Sequence, residues 1–131
     1  VTRSPTGPKR VAYAKYGVGQ SYLIMLSLDQ VVIGNVTFEP GCRNNWHIHH
    51  ADKGGGQILL VTGGRGYYQE WGKPARELHA GDVVKIPAGV KHWHGAAPTS
   101  WFAHLAIEVP GENTKSEWCE PVDAEEYNKL K

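Results

Sequence analysis

Along most of the chain, apolar residues come in short runs that alternate with polar ones, and glycine or proline ends each run. A period of two puts successive side chains on opposite faces of a strand. Runs this short, rich in Val, Ile, Tyr and Trp and bounded by turn residues, predict strands rather than helices. The pattern predicts strands at 19–27, 30–39, 43–50, 56–64, 66–72, 75–80, 82–87, 91–96 and 100–109. The stretches EPG, GGRG, AGD, PAG and APTS read as the turns between them. Only the end differs. DAEEYNKLK offers Asp123 as an N-cap and Glu126 at capping-box spacing, which predicts a short packing helix. Many short strands and one terminal helix predict an all-β barrel or double-sheet sandwich, since closure removes exposed strand edges. The polar, proline-containing start reads as an arm or linker remnant over 1–18. The barrel is expected over 19–110, and a C-terminal extension with the helix over 111–131.

Composition narrows the class. A chain of 131 residues, 40% of them hydrophobic, fits one domain with one sizeable core. The formal net charge of +1 predicts no attraction to nucleic acid or to a membrane surface. No apolar run approaches the roughly 18 residues of a membrane span. Cys42 and Cys119 form no CxxC pair and no disulfide framework, and no secretory signal opens the sequence, so a reducing, cytoplasmic setting is expected.

Candidate chemistry lies in the histidines. His47 and His49 share one face of their predicted strand, about 6.6 Å apart at Cα. Trp46 and His50 take the other face. His92 and His94 repeat the arrangement, with Trp93 opposite. His104 is in phase with Phe102, Ala106 and Glu108 on the last long strand. His50 and His79 read as surface histidines. Two His-x-His pairs facing one interior need coordination or hydrogen bonds to offset their burial. The spacings place each pair on one face and leave open whether the pairs meet.

Two motifs then carry a resemblance. Gly41, five residues, and His47-Ile48-His49 are followed by Gln57 and, seven residues on, Gly64. Gly81, five residues, and Pro87-Ala88-Gly89 lead through two more residues to His92. Over residues 19–109 this resembles the cupin superfamily, which implies a double-stranded β-helix, or jelly roll. Three features depart from the general pattern. Gln57 stands in the carboxylate place, the loop before it is lengthened by ADKGG, and Ala96 replaces the asparagine that often closes the second motif. VTFEPGCRNNWHIHH, KHWHGAAPTSWFAHLAIE and EPVDAEEY are similar to small bacterial cupins found alone or joined to carboxymuconolactone decarboxylase-like domains, a group that includes manganese-dependent, (R)-selective hydroxynitrile lyases.

That resemblance implies one divalent metal on His47, His49, Gln57 and His92, with His104 or His94 as the proton-transfer residue. It also selects the inward phase of the strand carrying Val32, Gly34, Val36 and Phe38. Leu59 and Val61 follow Gln57 in phase, and with Phe102 and Ala106 they complete an expected apolar pocket for a small substrate. Glu108, inward and charged, needs a polar partner or a place at the rim. Three imidazoles and a neutral amide leave a divalent ion its full charge. Four protein ligands leave two octahedral positions open, which suits Mn, Fe, Ni or Co better than a closed zinc site. Manganese is the expected ion, with those metals or zinc as alternatives. The expected function is reversible cyanohydrin cleavage. A metal-dependent oxygenase or decarboxylase-associated catabolic cupin, and a non-enzymatic metal or ligand binder, are the alternatives. GQSYLIMLS and VVIGNVTF are apolar on both faces, so a homodimer or larger assembly is expected.

Overall fold

The computed structural model describes residues 17–131. The arm expected over 1–18 lies outside the described residues except for Gly17–Val18, which form β1. The strands that follow are β2 (Ser21–Ser27), β3 (Ile33–Phe38), β4 (Arg43–Asn44), β5 (His47–His50), β6 (Lys53–Gly54) and β7 (Gln57–Glu70). After these come β8 (Arg76–His79), β9 (Val83–Ile86), β10 (His92–Ala96), β11 (Phe102–Glu108), β12 (Gly111–Glu112) and β13 (Lys115–Trp118), then α1 (Ala124–Asn128). No helix among the described residues is long and apolar enough to cross a membrane.

One curled sheet runs β1-β4-β10-β7-β11-β3-β2, with β5, β8, β9 and β13 joined along it. The first half of β7 pairs with β9 and β11, and its second half with β8 and β10. β7 therefore belongs to both layers of the barrel. The sequence predicted two strands here, separated by a turn at GGRG. The chain instead runs straight through as one strand, because these glycines solve a crowding problem rather than reverse direction. A Cβ on Gly64, whose φ is +72°, would lie 1.8 Å from the Trp101 carbonyl oxygen, and one on Gly66 would lie 2.5 Å from the Phe102 ring. Only a side-chain-free backbone can pass so close to β11.

Two apolar clusters form. Phe38, Leu59, Val61, Leu78, Val84, Ile86 and Phe102 fill the barrel interior. Trp46, Tyr67, Trp93, Val122 and Tyr127 pack on the outside of the β10 layer, beneath α1. Strand β10 is thus buried on both faces, histidines on one and Trp93 on the other. The helix starts where expected, but its cap is simpler than a capping box. Asp123 accepts from the Glu125 backbone N–H at 3.1 Å, while Glu126 binds Lys129 instead.

The stretch read as a plain extension, 111–120, supplies two strands. β12 pairs with β6, which lies within the lengthened loop. β13 pairs along β5, with Ser116 opposite His49 and Trp118 opposite His47.

Candidate metal centre

Strand pairing decides what the His-x-His spacings left open. His92 pairs directly opposite His47 between β10 and β5. The ring centroids lie 4.2 Å apart for His47–His92, 5.2 Å for His47–His49 and 5.3 Å for His49–His92. One ring nitrogen from each of the three lies within 4.8 Å of the others. Small ring rotations bring such atoms to the spacing set by ligands about 2.0–2.1 Å from one ion.

The far side of each ring is anchored. His47 Nδ1 lies 2.8 Å from the Asn45 carbonyl oxygen, and His92 Nδ1 lies 2.9 Å from that of Val90. A carbonyl only accepts, so these nitrogens carry the hydrogen and leave Nε2 with a free lone pair. His49 Nδ1 lies 3.4 Å from the Ser116 hydroxyl. His49 Nε2, His92 Nε2 and Gln57 Oε1 are buried without a hydrogen-bond partner. Buried orphan acceptors are costly. Three of them, all neutral N or O donors around one point, fit a divalent transition metal, with His47, His49, His92 and Gln57 as the residues that would hold it.

A second pair lies beside the first. His104 Nε2 is 3.2 Å from His94 Nδ1, so one ring must donate its N–H to the other. Asn44 accepts from the His94 backbone N–H at 3.0 Å, and its amide nitrogen lies 3.3 and 3.4 Å from the two nitrogens of the His94 ring. Phe38 packs against both rings. The register of β11 on β7 shifts between Ala103 and His104, a bulge that sequence periodicity does not show. Such irregularities re-aim side chains next to functional sites.

These histidines line a cavity of about 220 Å³. Gly34, Val36, Phe38, Ala106 and Glu108 stand on its wall, with Val32. Leu59 and Phe102 do not. Both are fully buried in the barrel core beneath, together with Val61, so their inward phase leads to packing rather than to the pocket. His92 is also fully buried behind the wall. Leu23, Met25 and Trp118 line the cavity and were not anticipated. Trp118 stacks on His47 with centroids 4.6 Å apart. Its signal was one aromatic in phase with Ser116 in a polar stretch, too little to mark a strand. Glu108 finds its partner across the ladder. Gln57 Nε2 donates to Glu108 Oε1 at 2.7 Å. His50 and His79 lie elsewhere, each against a carboxylate, Glu117 at 2.7 Å and Glu77 at 2.9 Å.

Burial pushes the His92 and His104 imidazoles down to about 4, with the Val90 and Leu105 backbones partly opposing it. His47 and His94 lie well below the usual imidazole value, from burial and then from neighbouring histidines. His49 is lowered by burial, against an opposing pull from Glu108. All five are therefore neutral near pH 7. A depressed folded-state value makes the unfolded chain the better proton binder. This contribution to stability is complete above about pH 6.5, the ordinary imidazole value, and drains away toward about pH 4. Metal-free protein should lose melting temperature steeply across that window in calorimetry, and a flat profile there would contradict the buried, neutral cluster.

A jelly-roll barrel with three convergent imidazoles and an amide oxygen at its open side defines the cupin class. The profile of the cupin domain family matches residues 34–105, and the chain belongs to that family. It is 46% identical over 95 residues to the (R)-mandelonitrile lyase of Granulicella tundricola, covering 72% of this chain and 70% of that protein. The crystal structure of a cupin-like protein from Thermotoga maritima superposes with a TM-score of 0.78 at 40% identity, over 98% of this chain and 94% of that one. A predicted oxalate decarboxylase from the same organism shares the fold at 20% identity, with a TM-score of 0.60 over 71% and 83% of the two chains.

Proposed function

We propose that this protein is a metal-dependent lyase that cleaves and forms cyanohydrins of small aldehydes. The observation that carries the reading is the adjacency of two devices at one apolar cavity: three orphaned donors around one point, two on its wall and His92 just behind it, and the His94–His104 pair beside them. The 46% identity to an (R)-mandelonitrile lyase supports the substrate class. A bound divalent ion supplies Lewis acidity toward a substrate oxygen. The side chains do the rest. Phe38, Val36 and Met25 present an apolar wall to the substituent on the reacting carbon. The neutral His104–His94 pair accepts the hydroxyl proton as the C–O bond becomes C=O and the C–CN bond breaks. The proton then passes to the departing cyanide, so hydrogen cyanide and aldehyde leave and the imidazole returns to neutral. The cyanide anion stabilises the transient imidazolium, which burial alone would disfavour.

Incubating manganese-loaded protein with benzaldehyde and cyanide, followed by chiral chromatography, tests the reading. One mandelonitrile enantiomer in excess is expected. Racemic product at the background rate, or oxygen uptake with an aldehyde in place of addition, would assign the cavity to other chemistry. The edge strand β2 and the turn after it expose Leu26 and Leu28, 55% and 72% accessible. The reading includes a homodimer or larger assembly that covers them, and a monomer by light scattering at micromolar concentration would contradict that part.

A further inference from the structure

The orientation of the Gln57 amide is the most consequential detail of the centre that the metal ligands themselves do not determine. The two ends of an amide have nearly the same shape, and only hydrogen bonding selects which faces where. If the nitrogen faced the imidazoles, an N–H would point at the free lone pairs of His49 and His92 and no oxygen would be offered to an ion. Glu108 prevents this. It pairs directly opposite Gln57 between β11 and β7, so both side chains rise on the same face within reach of each other. An ionised carboxylate is acceptor-only. The Gln57 Nε2–H must therefore point to Glu108, as the 2.7 Å contact shows, and Oε1 must point away, where it is buried without a partner. Glu108 itself stands exposed at the cavity rim.

We propose that Glu108 is a positioning residue for the metal centre: it locks the Gln57 amide so that the carbonyl oxygen, and not the N–H, completes the ligand set. Its negative charge polarises the amide through the N–H, making Oε1 a better donor. This rests on the metal-centre reading and is independent of the lyase chemistry.

The test is Mn(II) affinity by competition titration for four proteins: wild type, Glu108→Gln, Gln57→Ala and the double variant. A glutamine at 108 keeps the shape but can donate as well as accept, so the lock is lost. Glu108→Gln should weaken Mn(II) binding by about 10-fold, the low end of the range for partners that orient a ligand. The same change made in Gln57→Ala should alter affinity by less than about 2-fold, because no amide remains to orient. Co(II) gives a signature independent of stability: the absorption spectrum of Glu108→Gln should move toward that of Gln57→Ala. Equal losses in both backgrounds, or a Glu108→Gln protein with wild-type affinity and spectrum, would overturn the proposal. A wild type that takes up neither ion would overturn the centre and this role with it. Altered turnover with unaltered metal binding would bear on the lyase reading alone.

Discussion

Replacing His92 with alanine is expected to abolish stoichiometric metal. His92 sits in the middle of β10, opposite His47, with Nδ1 tied to the Val90 carbonyl and Nε2 buried and unpartnered. No other described side chain stands ready to replace that nitrogen, because His94, two residues on, is already engaged by Asn44 and His104. The wild type should gain about 2.7 kcal/mol at a free ion concentration one hundred times Kd. For a chain of this size that raises Tm by roughly 5–15 °C. The increment on adding metal is the quantity to compare, since truncating a fully buried ring also lowers the metal-free Tm by leaving a cavity. His92→Ala should show no increment and no metal by elemental analysis. His47→Ala should behave the same way. Metal retained by both variants would remove the centre.

The second large effect is on rate. His104 is completely buried, packed by Phe38 and Phe102, on a strand whose nearest in-phase residues, Phe102 and Ala106, are apolar. A leucine would pack there at least as well, so its imidazole is explained by the bond to His94 and by the cavity that both line. His104→Ala should leave metal content near wild type and lower kcat by about 10²–10⁴-fold, the usual range for loss of a general acid–base group. Because the two rings share one N–H, His94→Ala should also be slow, and the larger of the two losses marks the ring that meets substrate. Metal loss in His104→Ala would make it a ligand. Unchanged turnover in both variants would end the proton-transfer role.

Much of this was legible in local pattern. Period-two alternation placed His47 with His49, and His92 with His94, and set Trp46 and Trp93 on the opposite face, where the structure packs both under α1. What joins the two pairs is the β5–β10 register, a non-local pairing that no spacing encodes. Periodicity also assigned Leu59 and Phe102 correctly to the inner face, but it carries no depth. Whether an inward residue meets solvent or another side chain depends on how the barrel closes above it. The stretch GGRG reads as a turn because glycine serves turns and close approaches equally well, and only the Trp101 contact at Gly64 and the Phe102 contact at Gly66 distinguish the two. β13 gives little periodic signal because it is mostly polar and three of its four residues are exposed, yet it sets Ser116 and Trp118 beside two histidines. Gln57 was placed by motif alone. Its partner Glu108, an inward charge that needs a polar group, is the residue beside it on the ladder.

The proposed function requires that cyanohydrin cleavage in this cavity depend on a filled histidine–glutamine cradle. The most direct measurement is cyanide release from (R)-mandelonitrile by one preparation in three states: as purified, stripped with chelator, and reloaded with Mn(II) or Fe(II). Release should disappear on stripping and return on reloading in proportion to metal bound. Release that is indifferent to metal, or none from protein carrying one full equivalent, would contradict it.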